Sequence, residues 1–214
     1  MNMLAPGGAV PNRAAVGLPL SFGQEQLWFL AQLSPSDVTY NVGNAFRLSG
    51  SLNVPVLRRS LTHLVERHDG LRATFDAVDG VPFQVIRPAT EVDLLYTDLT
   101  DAGDEPDRAV QRVLADEAAL PFDLESGPLY RFRLVRLTAD DHVLIMSAHH
   151  IVTDGWSMGV LVQELAAAYG AFAEGHTPQL DDLPFGYAEH VRRQRAQDAA
   201  GAWEVELKYW QGQL

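Results

Sequence analysis

Two adjacent histidines, His149 and His150, stand five and four residues ahead of Asp154 in the stretch MSAHHIVTDGWS, residues 146–157. Imidazole is the side chain that takes and returns a proton most readily near neutral pH, which makes a histidine beside a glycine-containing turn a candidate general base. The run before the pair, HVLIMSA, is nearly all apolar and reads as a strand. If the strand continues through both histidines, their rings point to opposite faces, one inward and one outward. Neighbours placed in this way chelate a single metal poorly, and the nearest carboxylate, Asp154, comes from the turn, so a zinc site is not expected. Proton transfer or orientation by His150 fits better. Asp154 is suited to brace the turn by pairing with an arginine from elsewhere, and Gly155 to allow a backbone shape or ligand approach that a Cβ would block. Trp156 is expected to pack and Ser157 to cap the next helix. Taken singly, each histidine also fits a satisfied core residue, and spacing alone leaves both readings open.

The elements that must position this stretch are legible in outline. Ser21 is placed to cap a helix through SFGQEQLWFLAQL, with Phe22, Leu27, Leu30 and Leu33 as its apolar stripe. YNVGNAFRLSG reads as a strand, VPVLRRSLTHLVERHDGL as an amphipathic helix ending near Gly70, PFQVIRP and VDLLYTDL as two strands, and EPDRAVQRVLADEAAL as a helix stopped by Pro121. GPLYRFRLVRLT and HVLIMSAHH read as a hairpin turning at residues 138–141, its second strand apolar on both faces and therefore central. MGVLVQELAAAYGAFAEG is a helix ending at Gly175, and two further helical stretches follow Pro184. Their aromatics, Phe185, Tyr187, Trp203, Tyr209 and Trp210, call for a partner surface. Interleaved helices and strands give an α/β sandwich with a mixed sheet. The Arg131/Arg133 alternation reads as a solvated strand face, the acidic residues 98–107 as a solvated loop and helix start, and His63, His68, His142, His176 and His190 as surface or loop residues.

Composition narrows the function classes. The 214 residues are 47% hydrophobic, enough for a sizeable core, and carry a net charge of −12 with 16 Lys+Arg, a poor balance for a nucleic-acid ligand. Without cysteine there is no disulfide, thiolate nucleophile or Cys-based metal site, a composition compatible with the cytoplasm. No apolar run approaches the roughly 20 residues that cross a bilayer. Residues 1–17, rich in Gly, Pro and Ala, read as a flexible leader or docking tail and not as a signal peptide.

HHIVTDG, residues 149–155, resembles the HHxxxDG signature of the condensation domains of nonribosomal peptide synthetases, shared with chloramphenicol-acetyltransferase-like acyltransferases. LSFGQEQLWFLAQL, residues 20–33, resembles that family's first motif, SxAQxRLWFL, and RHDGLRATF, residues 67–75, its second, RHExLRTxF. Gly23 stands where Ala is usual, Gln26 where Arg is, and Asp69 where Glu is. None of these removes a group the chemistry needs.

The resemblance implies a chloramphenicol-acetyltransferase-like two-layer sandwich, one lobe of a two-lobe domain, with residues 18–180 as the N-terminal lobe and 181–214 as helices leading to the C-terminal lobe. It implies amide-bond formation between a carrier-bound acyl or peptidyl thioester and a carrier-bound aminoacyl amine, with His150 catalytic and the Gly155 N–H near the reacting centre. His149 becomes structural, and Asp154 becomes a structural carboxylate paired with Arg67 or, failing that, Arg72. No cofactor is bound directly; the substrates arrive on phosphopantetheine arms of carrier proteins, and an adenylation domain of the same synthetase is a further partner. GWSMGVLVQELAAAY looks more like the members with an L-configured donor, although a lipid-chain starter type also fits the short stretch before the first motif. A lobe of this kind alone is expected to be inactive. Two other readings compete: a non-catalytic docking platform for carrier proteins, and another HxxxD-type acyltransferase of the glycerolipid class, matched by the spacing of His149 and Asp154.

Overall fold

In the computed structural model, residues 17–101, 103 and 105–214 are described; nearly all of the segment expected as a leader, residues 1–16, lies outside them. Ser21 opens helix α1, Phe22–Leu33, with a reciprocal cap: its hydroxyl accepts from the Gln24 N–H while the Gln24 side chain accepts from the Ser21 N–H. The apolar stripe of this helix differs from expectation. Leu27, Trp28 and Ala31 pack inward, whereas Leu30 and Leu33 face out.

Strand β1, Asn41–Ser49, leads to α2, Val54–Arg67, which is capped by Asn53 and buries Leu57, Leu61, Leu64 and Val65 on one face. A single 3-10 turn, Asp69–Arg72, connects it to a hairpin, β2, Ala73–Val78, and β3, Val81–Ile86. Strand β2 escapes a reading of the sequence because RATFDAV sits directly against a helix end without a turn signal. Then come β4, Leu94–Asp98; α3, Pro106–Ala118; β5, Tyr130–Arg136; and β6, Asp141–His149. The chain continues through α4, Gly155–Ala173, to α5, Tyr187–Ala199, and α6, Glu204–Gln211.

The sheet order is β1-β6-β5-β4, with β6 central as its two-sided apolar character requires. The β1–β6 and β6–β5 pairs are antiparallel and the β5–β4 pair parallel, so the sheet is mixed. Helices α2 and α4 lie side by side on one face, where Leu61, Leu64, Met158 and Leu161 meet Phe132, Leu134, Leu144 and Met146. On the other face α3 runs from the hairpin end, where Val110 packs against Val135, Val143 and Ile145, to the histidine end, where Glu117 meets Arg131 and Ala118 O accepts from Asn41. The β2–β3 hairpin and α1 close a third apolar cluster around Leu20, Phe75, Phe122, Leu129 and Ile151. That cluster lies at the end of β6 where the histidines are.

Arg131 and Arg133 do not form a solvated face. Both grip Glu117 of α3, at 2.6 and 2.9 Å, and Glu117 is only 2% exposed. A buried carboxylate is tolerable only with such compensation. His142 is also buried rather than at the surface.

Candidate active site

Strand β6 ends at His149, one residue earlier than the sequence suggests, and His150 begins the turn. The two rings still part company. His149 is 5% exposed, whereas His150 is exposed. Backbone bonds fix the transition: His149 N–H donates to Leu129 O at 3.0 Å and His150 N–H to Tyr40 O at 2.8 Å.

His149 is seated between Tyr40 and Phe122, each ring centroid 6.4 Å away, with Phe122 edge-on. Its Nδ1 accepts the Ile151 N–H at 3.1 Å, so the neutral ring carries its proton on Nε2. Burial, reinforced by the neighbouring His150, depresses its pKa to about 4. At neutral pH it is an uncharged fixture of the turn.

His150 has the opposite tautomer. Its Nδ1 lies 2.7 Å from Thr153 O, a carbonyl that can only accept, so the proton sits on Nδ1 and the Nε2 lone pair is free. An exposed imidazole with a locked orientation and an available lone pair is suited to receive a proton from an incoming N–H or O–H.

Asp154 is the N-cap of α4. Its carboxylate accepts from Ser157 N at 2.7 Å and from Ser157 Oγ at 2.6 Å, and these bonds, the hydroxyl's first, hold its pKa below the usual carboxylate range. Gly155 is the first residue of the helix, and a Cβ placed there would meet nothing within 4 Å. Beside this turn lies a cavity of about 570 Å³ whose walls include Thr153, Trp156, Ser157, Leu183, Phe185 and Tyr187.

The Condensation domain family model matches residues 15–214. The chain belongs to the condensation-domain family. A linear gramicidin synthase of Brevibacillus parabrevis is 43% identical over 198 residues, covering 92% of this chain and 3% of that protein. Chondramide synthase cmdD of Chondromyces crocatus is 42% identical over 199 residues, 92% of this chain and 5% of that protein. Among solved structures, the first condensation domain of the calcium-dependent antibiotic synthetase, in complex with a substrate analogue, superposes with a TM-score of 0.84 at 28% identity, covering 92% of this chain and 47% of that one. The starter condensation domain of rhizomide synthetase shares the fold, with a TM-score of 0.82 at 24% identity over 92% and 49%. The chain thus spans a few per cent of these synthetases and about half of the solved domains.

Within this condensation-domain lobe, several residues sit elsewhere than the motifs imply. Asp154 is not paired with Arg67 or Arg72. Arg67 bonds Glu164 of α4 through Nε, 3.2 Å from both carboxylate oxygens, and reaches Asp181 O; His68 Nε2 lies 2.6 Å from the same Glu164. Arg72 caps the end of α2, donating to Val65 O at 3.0 Å and also to Arg87 O at 2.6 Å. The Asp154 carboxylate is taken up by the helix cap, and Glu164 is the acid that α2 faces. Ser157 is consequently the third residue of α4 and not its cap. Trp156 does not pack within the lobe and is 83% exposed.

Other residues at the site brace the turn without carrying titratable chemistry of their own in the reaction. Buried Gln24 donates through Nε2 to Ile151 O at 3.5 Å, and buried Gln84 donates to Gln24 Oε1 at 3.2 Å, linking α1 and β3 to the turn. The Asp69 carboxylate accepts the Tyr187 N–H at 3.1 Å through either oxygen, and Tyr187 Oη meets Ser21 Oγ at 3.1 Å. Helix α5 is therefore fastened to both upstream motifs. Gln24 is within reach of the sequence, since it belongs to the first motif; Gln84 and Tyr187 carry no pattern that marks them.

Proposed function

We propose that this chain is the N-terminal, donor-side lobe of a two-lobe condensation domain, joining a carrier-bound acyl or peptidyl thioester to the α-amine of a carrier-bound aminoacyl group. The observation that carries this reading is the His150 tautomer: Nδ1–H held by Thr153 O, Nε2 turned free at the exposed end of a buried strand.

In this mechanism the acceptor amine donates a hydrogen bond to His150 Nε2, which orients the nitrogen lone pair toward the thioester carbonyl. As the C–N bond forms, the amine proton passes to Nε2; as the C–S bond breaks, that proton passes to the departing thiolate. The Thr153 carbonyl shares the transient imidazolium charge through Nδ1–H. In this reading the Gly155 N–H, in the first turn of α4, stabilises the oxyanion. General-base help is worth about 10²- to 10⁴-fold, and alignment of two tethered substrates supplies the rest. His149, Asp154, Arg67 and Arg72 act by holding the turn and the two helices, not by touching substrate.

Membership of the condensation-domain family supports carrier proteins and an adenylation domain as partners, with substrates on phosphopantetheine arms; no cofactor resident in the lobe and a cytoplasmic setting belong to the same reading. The stretch after the motif supports an L-configured donor. The lobe alone is read as inactive, with residues 181–214 leading to its C-terminal counterpart. No helix among the described residues is long and apolar enough to cross a membrane.

The test is amide formation by the lobe joined to a C-terminal lobe, with donor and acceptor loaded on carrier proteins and products read by mass spectrometry. The dipeptidyl or acyl-aminoacyl thioester is expected on the acceptor carrier. Carrier binding without amide would instead identify a docking platform.

A further inference from the structure

The buried ion cluster on the sheet face opposite α2 and α4 reaches His149 through the Phe122 ring. Arg131 reaches Glu117 Oε1 at 2.6 Å and the carbonyls of Glu117, Leu120 and Pro121 at 3.1, 2.8 and 3.3 Å, so one guanidinium clamps the end of α3 and the residues after it. The same guanidinium stacks over the Phe122 ring, 3.7 Å from its centroid. Asn41, opposite His149 in the sheet, donates to Ala118 O and Leu120 O at 3.0 and 2.8 Å, pinning the segment from the other side. Phe122 then meets His149 edge to face.

We propose that Arg131 is a positioning residue for the reaction assigned above. By clamping residues 117–122 it holds Phe122 as the roof over His149, and through the His149 Nδ1 bond to Ile151 N–H it fixes the backbone next to His150. This inference rests on the proposed function only for its effect on turnover. Its structural part concerns the seating of His149.

The reason the roof matters is chemical. His149 holds Ile151 only while its Nδ1 is unprotonated, and water admitted beside the ring would favour the protonated form. Among the described residues, the titratable and charged groups that bear on the ring include His150 next to it in sequence, the Tyr40 phenol on its flank, and Arg131 behind Phe122 with its charge and that of Arg133 shared by Glu117. No carboxylate with unspent charge faces the imidazole from these neighbours to favour its protonation, so exclusion of water is what the clamp supplies.

The experiment is a histidine NMR titration with amide exchange at Ile151, comparing the native chain with Arg131→Met, Phe122→Ala and Phe122→Tyr. Arg131→Met and Phe122→Ala are expected to raise the His149 midpoint by at least one pH unit from about 4 and to speed Ile151 exchange tenfold or more. Phe122→Tyr, which keeps the ring, is expected to behave as native. Should Arg131→Met fail to fold, Arg131→Lys decides, since it keeps the charge beside Glu117 but not the guanidinium fork to the carbonyls of Glu117, Leu120 and Pro121. In the two-lobe domain, Arg131→Met is expected to lower amide formation about two-fold or more relative to the native domain at pH 5, where a midpoint raised to about 5 or above leaves half or more of His149 protonated, and little at pH 8. Folded variants with native titration and exchange overturn the proposal, as does an altered His149 with condensation unchanged at both pH values. An unaltered domain that forms no amide rejects the assigned reaction instead, and the titration and exchange still decide whether Arg131 seats His149.

Discussion

A neutral imidazole carries its donor and its acceptor on different nitrogens, so the one bond from His150 Nδ1 to Thr153 decides which nitrogen is left to accept a proton. The neighbouring ring is set the other way by Ile151, so one histidine holds the turn and the other, in the proposed mechanism, receives the proton. Asp154 contributes by capping α4 through Ser157. Asp154→Ala is expected to cost about 0.5–2 kcal/mol, the usual worth of an N-cap, while Asp154→Asn retains an acceptor and stays within a few tenths. Urea unfolding separates them; equal losses would favour an ion pair over a cap. His149 sets a pH dependence. Its folded pKa of about 4 lies below the roughly 6.5 of an unfolded histidine, so the unfolded chain binds the proton first. Stability is therefore expected to fall as pH drops from about 6.5 toward about 4, and His149→Gln to flatten that part of the profile in urea midpoints measured at several pH values.

At the scale of elements, the site depends on how far a pattern in sequence reports a neighbour in space. Helices α2 and α4, the central place of β6 and the cap at Ser21 follow from local periodicity and turn chemistry, which is why they are legible. Arg131 and Arg133 look solvated in the sequence because strand alternation says which face a residue takes, not whether a helix covers that face. The partners of Arg67 and Asp154 differ from the motif-based expectation for a similar reason. A motif supplies candidate charges, but proximity is decided by the packing of α2 on α4, which brings Glu164 to Arg67 and His68. The Glu117 cluster provides the clearest stability test. Glu117→Ala leaves two arginines facing each other in a largely buried site and is expected to cost toward the lower end of about 3–5 kcal/mol, with Glu117→Gln costing less. Chemical denaturation followed by far-UV circular dichroism reads both.

For the whole molecule, apolar surface is distributed unevenly. The core lies between α2, α4 and the sheet, whereas α6 buries none of its residues and exposes Trp203 before it together with Val205, Leu207, Tyr209 and Trp210. Helix α5 differs, with Val191 fully buried and Arg195 bonded to Leu20 O at 2.7 Å. Removing residues 202–214 is accordingly expected to leave the thermal midpoint within a few degrees of the intact chain, whereas a cut before α5 lowers it markedly; differential scanning calorimetry compares the two. Exposed Trp156 and the aromatic surface of α6 are the parts a second lobe has most reason to cover. The account's central claim, that the free Nε2 of His150 receives the proton of the attacking amine, is tested most directly by single-turnover amide formation in the two-lobe domain with His150 and with His150→Ala. The account predicts a fall of about 10²- to 10⁴-fold with the fold and carrier binding intact; turnover within a few-fold of native would contradict it.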